Sequence, residues 1–178
     1  MQPIPTPDET RANQNFAALL GALSRPGQIH RLAAPGEAEI IQALIDRECR
    51  VFSADPGLGA MLRQTGALMV EPQEADHLFL GALSDLALLN LLSLGSDLYP
   101  DDGATVVIQA GLSQSQAQTL RLSGPGIETT LDVTITGLPN EFWSARRDLI
   151  RYPMGFDLFL LDGADVMGIP RSTMVEVF

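Results

Sequence analysis

The stretch Ala104–Ala110, ATVVIQA, decides the fold class: Thr105, Val106, Val107 and Ile108 form an unbroken β-branched run, the composition of a strand. Two more β-rich runs follow, QTLRLSG at 118–124 and LDVTIT at 131–136, separated by Gly, Ser, Asp and Pro, so the three read as neighbouring strands. Further on, PNEFWSARRDLIRY (139–152) reads as a helix with Phe142, Leu149 and Ile150 apolar and its arginines polar. FDLFLLD (156–162) and DVMGIP (165–170) then read as two strands around a turn at Asp162-Gly163.

Upstream of Ala104 the pattern alternates. Phe16, Leu19, Leu20 and Leu23 recur at helical spacing, and the helix ends at Ser24-Arg25-Pro26-Gly27 because Pro26 disfavours helical geometry in the residue before it. Strands are expected at 28–32, 50–53, 67–70 and 77–80, and helices at 37–46, 58–64 and 84–94, the last with Ser84 as N-cap and Gly95 as its stop. Helices alternate with strands and then strands accumulate. That order fits an α/β domain with a mixed, partly antiparallel sheet covered by helices. One domain over 1–178 is expected, with residues 1–10 as a flexible proline-bearing tail.

Composition excludes several functions. Eleven basic against twenty-two acidic side chains give a net charge of −11, the wrong sign for a broad nucleic-acid-binding face. No residue of the sequence is lysine, so Schiff-base chemistry and a Gly-Lys-Ser/Thr phosphate loop are both excluded. The longest apolar stretch, 78–94, is shorter than the ~20 residues of a membrane span and contains Asp85 and Asn90. With no leader-like N-terminus and one thiol, Cys49, a cytoplasmic protein is expected. His30 and His77 lack neighbours at ligand spacing, so no metal site is expected, and each is read as a strand histidine facing solvent or a hydrogen-bond partner. Asp101-Asp102, between Pro100 and Gly103, reads as a turn.

Four polar turns remain: SRPG (24–27), LSGPG (122–126), RYPMGFD (151–157) and IPRST (169–173). Arginine offers a planar fork of donors for phosphate or carboxylate oxygens, and glycine lets backbone N–H groups approach an anion closely. Ser24, Arg25, Ser123, Gly124, Arg171, Ser172 and Thr173 are therefore the candidate anion-binding residues; no catalytic residue is assigned. Their plainer reading is that Arg25 and Arg171 cap helix ends or pair with acids while the glycines make turns.

The segments FAALLGALSRPG, YPDDGATVVIQ, LRLSGPGI, YPMGFDLFLL and IPRSTMVEV, in that order between Phe16 and Val177, closely resemble the PhnH family, the H subunit of the bacterial carbon-phosphorus lyase system. The resemblance implies a homodimer that joins the G, I and J subunits in a complex handling ATP and phosphonates, where a ribose 1-phosphonate 5-triphosphate is formed before the J subunit cleaves the carbon-phosphorus bond. It also implies a three-layer α/β/α fold similar to pyridoxal-phosphate-dependent transferases. Without lysine, that likeness is one of architecture and no cofactor is expected. Ala17, Arg63-Gln64 and Met174 depart from the family pattern, so no chemistry is carried to them. Three roles follow for testing: a non-catalytic structural subunit, an anion-binding subunit, and an independent enzyme.

Overall fold

The computed structural model describes residues 5–112 and 118–178. The helices are α1 (Pro7–Ser24), α2 (Ala38–Leu44), α3 (Gly59–Gln64) and α4 (Phe142–Leu149). The strands are β1 (Ile29–Arg31), β2 (Arg50–Ser53), β3 (Leu68–Met69), β4 (His77–Phe79), β5 (Thr105–Gln109), β6 (Gln118–Ser123), β7 (Leu131–Ile135), β8 (Asp157–Asp162), β9 (Asp165–Ile169) and β10 (Met174–Val177).

Seven strands form a mixed sheet in the order β1-β9-β8-β5-β4-β2-β3. Strands β8, β5, β4, β2 and β3 run parallel, while β9 and β1 are added antiparallel at one side. The ATVVIQA strand lies inside this sheet, and Val106, Val107 and Ile108 are all buried because both faces are covered. Val107 packs with Leu19, Ile40, Ile41, Leu62, Phe79 and Phe159 beneath α1, α2 and α3. Val106 and Ile108 face the other way, into a second cluster with Leu120, Leu122, Val133, Ile135, Phe142 and Trp143.

The cover on that second face differs from the expected layer of helices. It is shared between α4 and a separate antiparallel sheet, β10-β6-β7. β6 and β7 therefore do not extend the ATVVIQA sheet as neighbouring strands. Among the described residues their backbone link to it is the bridge Gly111–Thr136, because their alternating pattern leaves one apolar face to lie on the main sheet and one wet face outside.

The start of α1 overlaps the expected tail of residues 1–10. Thr6 and Glu9 make a reciprocal capping box, with Glu9 N–H donating to Thr6 Oγ1 (3.2 Å) and Thr6 N–H donating to Glu9 Oε2 (2.7 Å), so residues 7–10 are helical. The buried face of α1 is also rotated from the most apolar arc: Asn15, Leu19 and Ala22 are buried, while Phe16 and Leu20 are 49% and 58% exposed. The cause is backbone proximity. A Cβ on Gly168 of β9 would lie 2.5 Å from the Ala22 carbonyl oxygen, so the helix is seated over a glycine. Asn15 then holds α1 in place, accepting from Ala33 N–H (2.8 Å) and donating to Glu39 Oε2 (2.6 Å), where Arg11 also pairs.

The helix expected at 84–94 is a 3-10 segment, Leu86–Leu91, capped by Asp85 rather than Ser84: Asp85 Oδ1 accepts from Ala87 N–H at 2.8 Å. His30 and His77 also differ from expectation. The His30 ring packs on Gly21 and its Nε2 is buried without a partner, as is His77 Nδ1.

Candidate functional site

Three of the four polar turns converge. Gly124 and Gly126, both with positive φ, follow β6; a Cβ on Gly124 would meet the Ser172 carbonyl oxygen at 2.8 Å, and one on Gly126 would collide with the Ser24 carbonyl oxygen. Gly27 N–H donates to the Gly168 carbonyl at 3.3 Å, and Gly27 sits against Leu122, Leu131 and Val133. The seam joins the end of α1, the small sheet and the turn before β10. The glycines here are needed for close backbone approach, with or without an anion.

The polar side chains of the seam are largely used internally. Ser24 Oγ donates to the Gly21 carbonyl at 3.2 Å, and Arg25 is the C-cap residue of α1, its backbone N–H donating to Gly21 O at 3.0 Å. The Arg25 side chain is exposed and has no polar partner among the described residues. Arg171 sends Nη2 to Asp157 Oδ2 (2.7 Å), Nε to Asp157 Oδ1 (3.2 Å), Nη1 to the Pro100 carbonyl and Nη2 to the Gly103 carbonyl (3.1 Å). It thereby joins the fourth turn, RYPMGFD, to the Pro100–Asp102 turn, with four of its five N–H donors engaged.

Arg146 was not among the candidates from sequence, where it reads as the polar face of a helix. The structure buries it at 2% exposure, its Nη2 donating to Pro170 O (2.9 Å) and Ile169 O (3.4 Å) and its Nη1 to Thr173 O (3.3 Å). Arg146 Nε and Thr173 Oγ1 are buried without hydrogen-bond partners among the described residues. Burial holds the Arg146 pKa down at about 10, opposed by Asp157, so the group stays charged at neutral pH. Arg146, Arg171, Ser172 and Thr173 line a cleft of about 350 Å³ between α4 and β10, with Arg147, Tyr152 and Glu176 also on its wall. Arg171 is paired with Asp157, whereas Arg146 has no salt-bridge partner among the described residues and its guanidinium meets carbonyl oxygens and the Phe156 ring, 5.9 Å from the ring centroid.

At the opposite end of the parallel strands lies a second feature missed from sequence. Glu37, which precedes α2, is 6% exposed; its Oε2 accepts from Gln109 Nε2 at 3.2 Å and its Oε1 has no partner. Burial raises the Glu37 pKa, the Gln109 contact and the Gly81 backbone amide opposing the rise and Asp55 adding to it. No sequence signal marks Glu37 beyond its place at a helix start. Among the described residues no three His, Cys, Asp or Glu side chains gather in a way that could hold a metal ion, and no helix is long and apolar enough to cross a membrane.

The fold and its clefts define an α/β domain whose motif-bearing turns build a packing seam. The family model for bacterial phosphonate metabolism protein (PhnH) matches residues 6–176, and the chain belongs to that family. It is 31% identical to the putative C-P lyase subunit protein HtxG of Stutzerimonas stutzeri, over 94% of this chain and 87% of that protein. It is 29% identical to the alpha-D-ribose 1-methylphosphonate 5-triphosphate synthase subunit PhnH of Rhizobium meliloti (strain 1021), over 93% of this chain and 90% of that one.

Proposed function

We propose that this chain is a non-catalytic subunit of a carbon-phosphorus lyase core complex, supporting formation of a ribose 1-phosphonate 5-triphosphate from ATP and a phosphonate in the cytoplasm. Its partners on this reading are a second copy of itself and the G, I and J subunits. Both relatives named above are subunits by description, which supports membership of an assembly. The observation that supports the non-catalytic role is the commitment of Arg171: four of its five N–H donors go to Asp157, Pro100 and Gly103, in keeping with the plainer reading that it pairs with an acid. Purification from the native host should bring down the other subunits. In the reconstituted complex Arg25→Ala, which removes an exposed side chain, should leave phosphonate-ATP chemistry within about twofold of wild type. A large rate loss in a fully assembled Arg25→Ala complex would refute the non-catalytic role.

A second reading makes the chain an anion-binding subunit, and the Arg146–Thr173 cleft favours it. A buried guanidinium with no salt-bridge partner among the described residues favours an oxyanion in the adjoining cleft, and Ser172 offers a hydroxyl there. Calorimetry with ATP and with methylphosphonate, on the isolated chain and on the assembled complex, decides the matter: no heat from either ends this reading.

A further inference from the structure

Strand β10 is an edge of the small sheet and pairs only with β6 among the described residues. The register sets Met174 against Ser123 and Glu176 against Arg121, and one step further Phe178 N–H donates to the Thr119 carbonyl at 3.3 Å. Hydrogen-bonded and non-hydrogen-bonded pairs alternate along an antiparallel ladder, so Met174 and Glu176 direct their N–H and C=O groups to β6. Val175 and Val177 turn theirs to the opposite edge. Thr173, in the same phase, shows which way that edge looks: its carbonyl accepts from Arg146 Nη1 of α4 at 3.3 Å. Beyond Thr173, the backbone groups of Val175 and Val177 have no hydrogen-bond partner among the described residues.

The open edge borders a groove. Cavities of about 520 and 350 Å³ lie between β10 and α4, and Trp143, Arg147, Val175 and Glu176 line both. Apolar side chains rim the groove, with Tyr152, Met174 and Phe178 at 70%, 65% and 66% exposure. Its charge is positive on the α4 side. Arg147 has as its ion pair, among the described residues, a 3.4 Å contact to the equally exposed Asp148, which holds it weakly, and the buried Arg146 has none. Glu176 sits opposite Arg121 on the solvent face of the small sheet, away from the buried Leu120 and Leu122. An unpaired strand edge is a template for another strand, and in strand addition backbone bonds give affinity while alternate side chains give specificity.

We propose that the free edge of β10 accepts an extended, acidic segment of another polypeptide as a fourth strand of the small sheet, bonded to Val175 and Val177 and with its acid facing Arg147. A second copy of β10 fits less well. Antiparallel self-pairing through Val175 and Val177 centres on Glu176 and sets two like charges directly opposite each other, which is destabilising. The proposal goes beyond the subunit role and does not rest on it, since peptide binding is read on this chain alone and survives a failed co-purification. It is also separable from small-anion binding, which needs no strand edge.

The probe is the peptide acetyl-TVTETVT-amide, which alternates as a strand does and carries one acid, titrated into the full-length chain by calorimetry and by amide chemical shifts. It should bind with a Kd of about 1 mM or tighter, with shifts centred on Val175 and Val177. The same peptide with lysine in place of glutamate should bind about tenfold more weakly. Val177→Pro removes an outward N–H that the β6 ladder does not use, so it should keep the sheet and weaken peptide binding about tenfold. Arg147→Glu should reverse the preference, so that the lysine peptide binds better than the glutamate one. Both side chains are exposed, and circular dichroism checks that each variant folds. The proposal is overturned if wild type fails to bind the glutamate peptide, if the lysine peptide binds equally, or if both folded variants behave as wild type. Self-association of wild type that Val177→Pro abolishes would also overturn it, by placing a second copy on the edge.

Discussion

Arg171 grips Asp157 with two prongs, Nη2–Oδ2 at 2.7 Å and Nε–Oδ1 at 3.2 Å, while the backbone N–H of Arg171 donates to the same carboxylate at 2.8 Å. The side chains are 14% and 21% exposed, so the pair is largely shielded from water, and the same guanidinium closes the Pro100–Asp102 turn. Arg171→Ala leaves the Asp157 carboxylate with only the backbone N–H of residue 171 and leaves two carbonyls without their donor. The loss should be about 3 kcal/mol, read as a fall in Tm of roughly 6 to 12 °C for a chain of this size. A Tm within a degree of wild type would contradict a structural Arg171.

Gly168→Ala should destabilise the protein although β9 accepts alanine conformationally. Its Cβ would stand 2.5 Å from the Ala22 carbonyl oxygen, a backbone atom that cannot rotate away. Moving α1 off the sheet should cost about 1–3 kcal/mol, measured by urea unfolding, with weakened amide protection in α1 as the second signature.

Glu37→Gln should stabilise the folded state at neutral pH. The Glu37 carboxyl has its pKa raised by burial, so its favourable contribution is full below its ordinary value of 4.5 and is lost as pH rises through the folded value. Removing the charge should gain about 1 kcal/mol at pH 7 and nothing near pH 4, in thermal melts taken across that range. A gain that persists unchanged at the acid end would be inconsistent with this origin.

His77 should give the opposite slope. Burial holds its pKa below the ordinary 6.5, against the pull of Asp76 and Asp46, so the folded state disfavours the imidazolium. Stability should be constant above pH 6.5 and fall as pH drops through the folded value. His77→Gln should flatten that part of the profile, and NMR titration of the imidazole locates the folded pKa directly.

Thr6→Ala removes one half of the capping box and should cost about 1 kcal/mol. Loss of amide protection confined to the first turn of α1 would show that residues 7–10 are held as helix by Thr6 and Glu9.

The amino-acid sequence alone determined the local elements. β-Branched runs such as Thr105–Ile108 can satisfy only strand packing, Pro26 and Gly27 end α1 through fixed backbone preferences, and the absence of lysine removes a class of chemistry in any fold. The capping box at Thr6–Glu9 was legible too, hidden beneath the prolines around it. Tertiary structure alone decided which strands share a sheet, since β6 and β7 carry a strand signal that is the same whether they extend the main sheet or lie on its face. It also decided the fate of the arginines. Arg171 and Arg146 look alike along the chain, yet one is paired with Asp157 while the other meets carbonyls and the Phe156 ring, because a charge's worth depends on partners distant in sequence and on the water excluded around them. Glu37 and Gln109 lie seventy-two residues apart and meet only because β5 ends beside the start of α2.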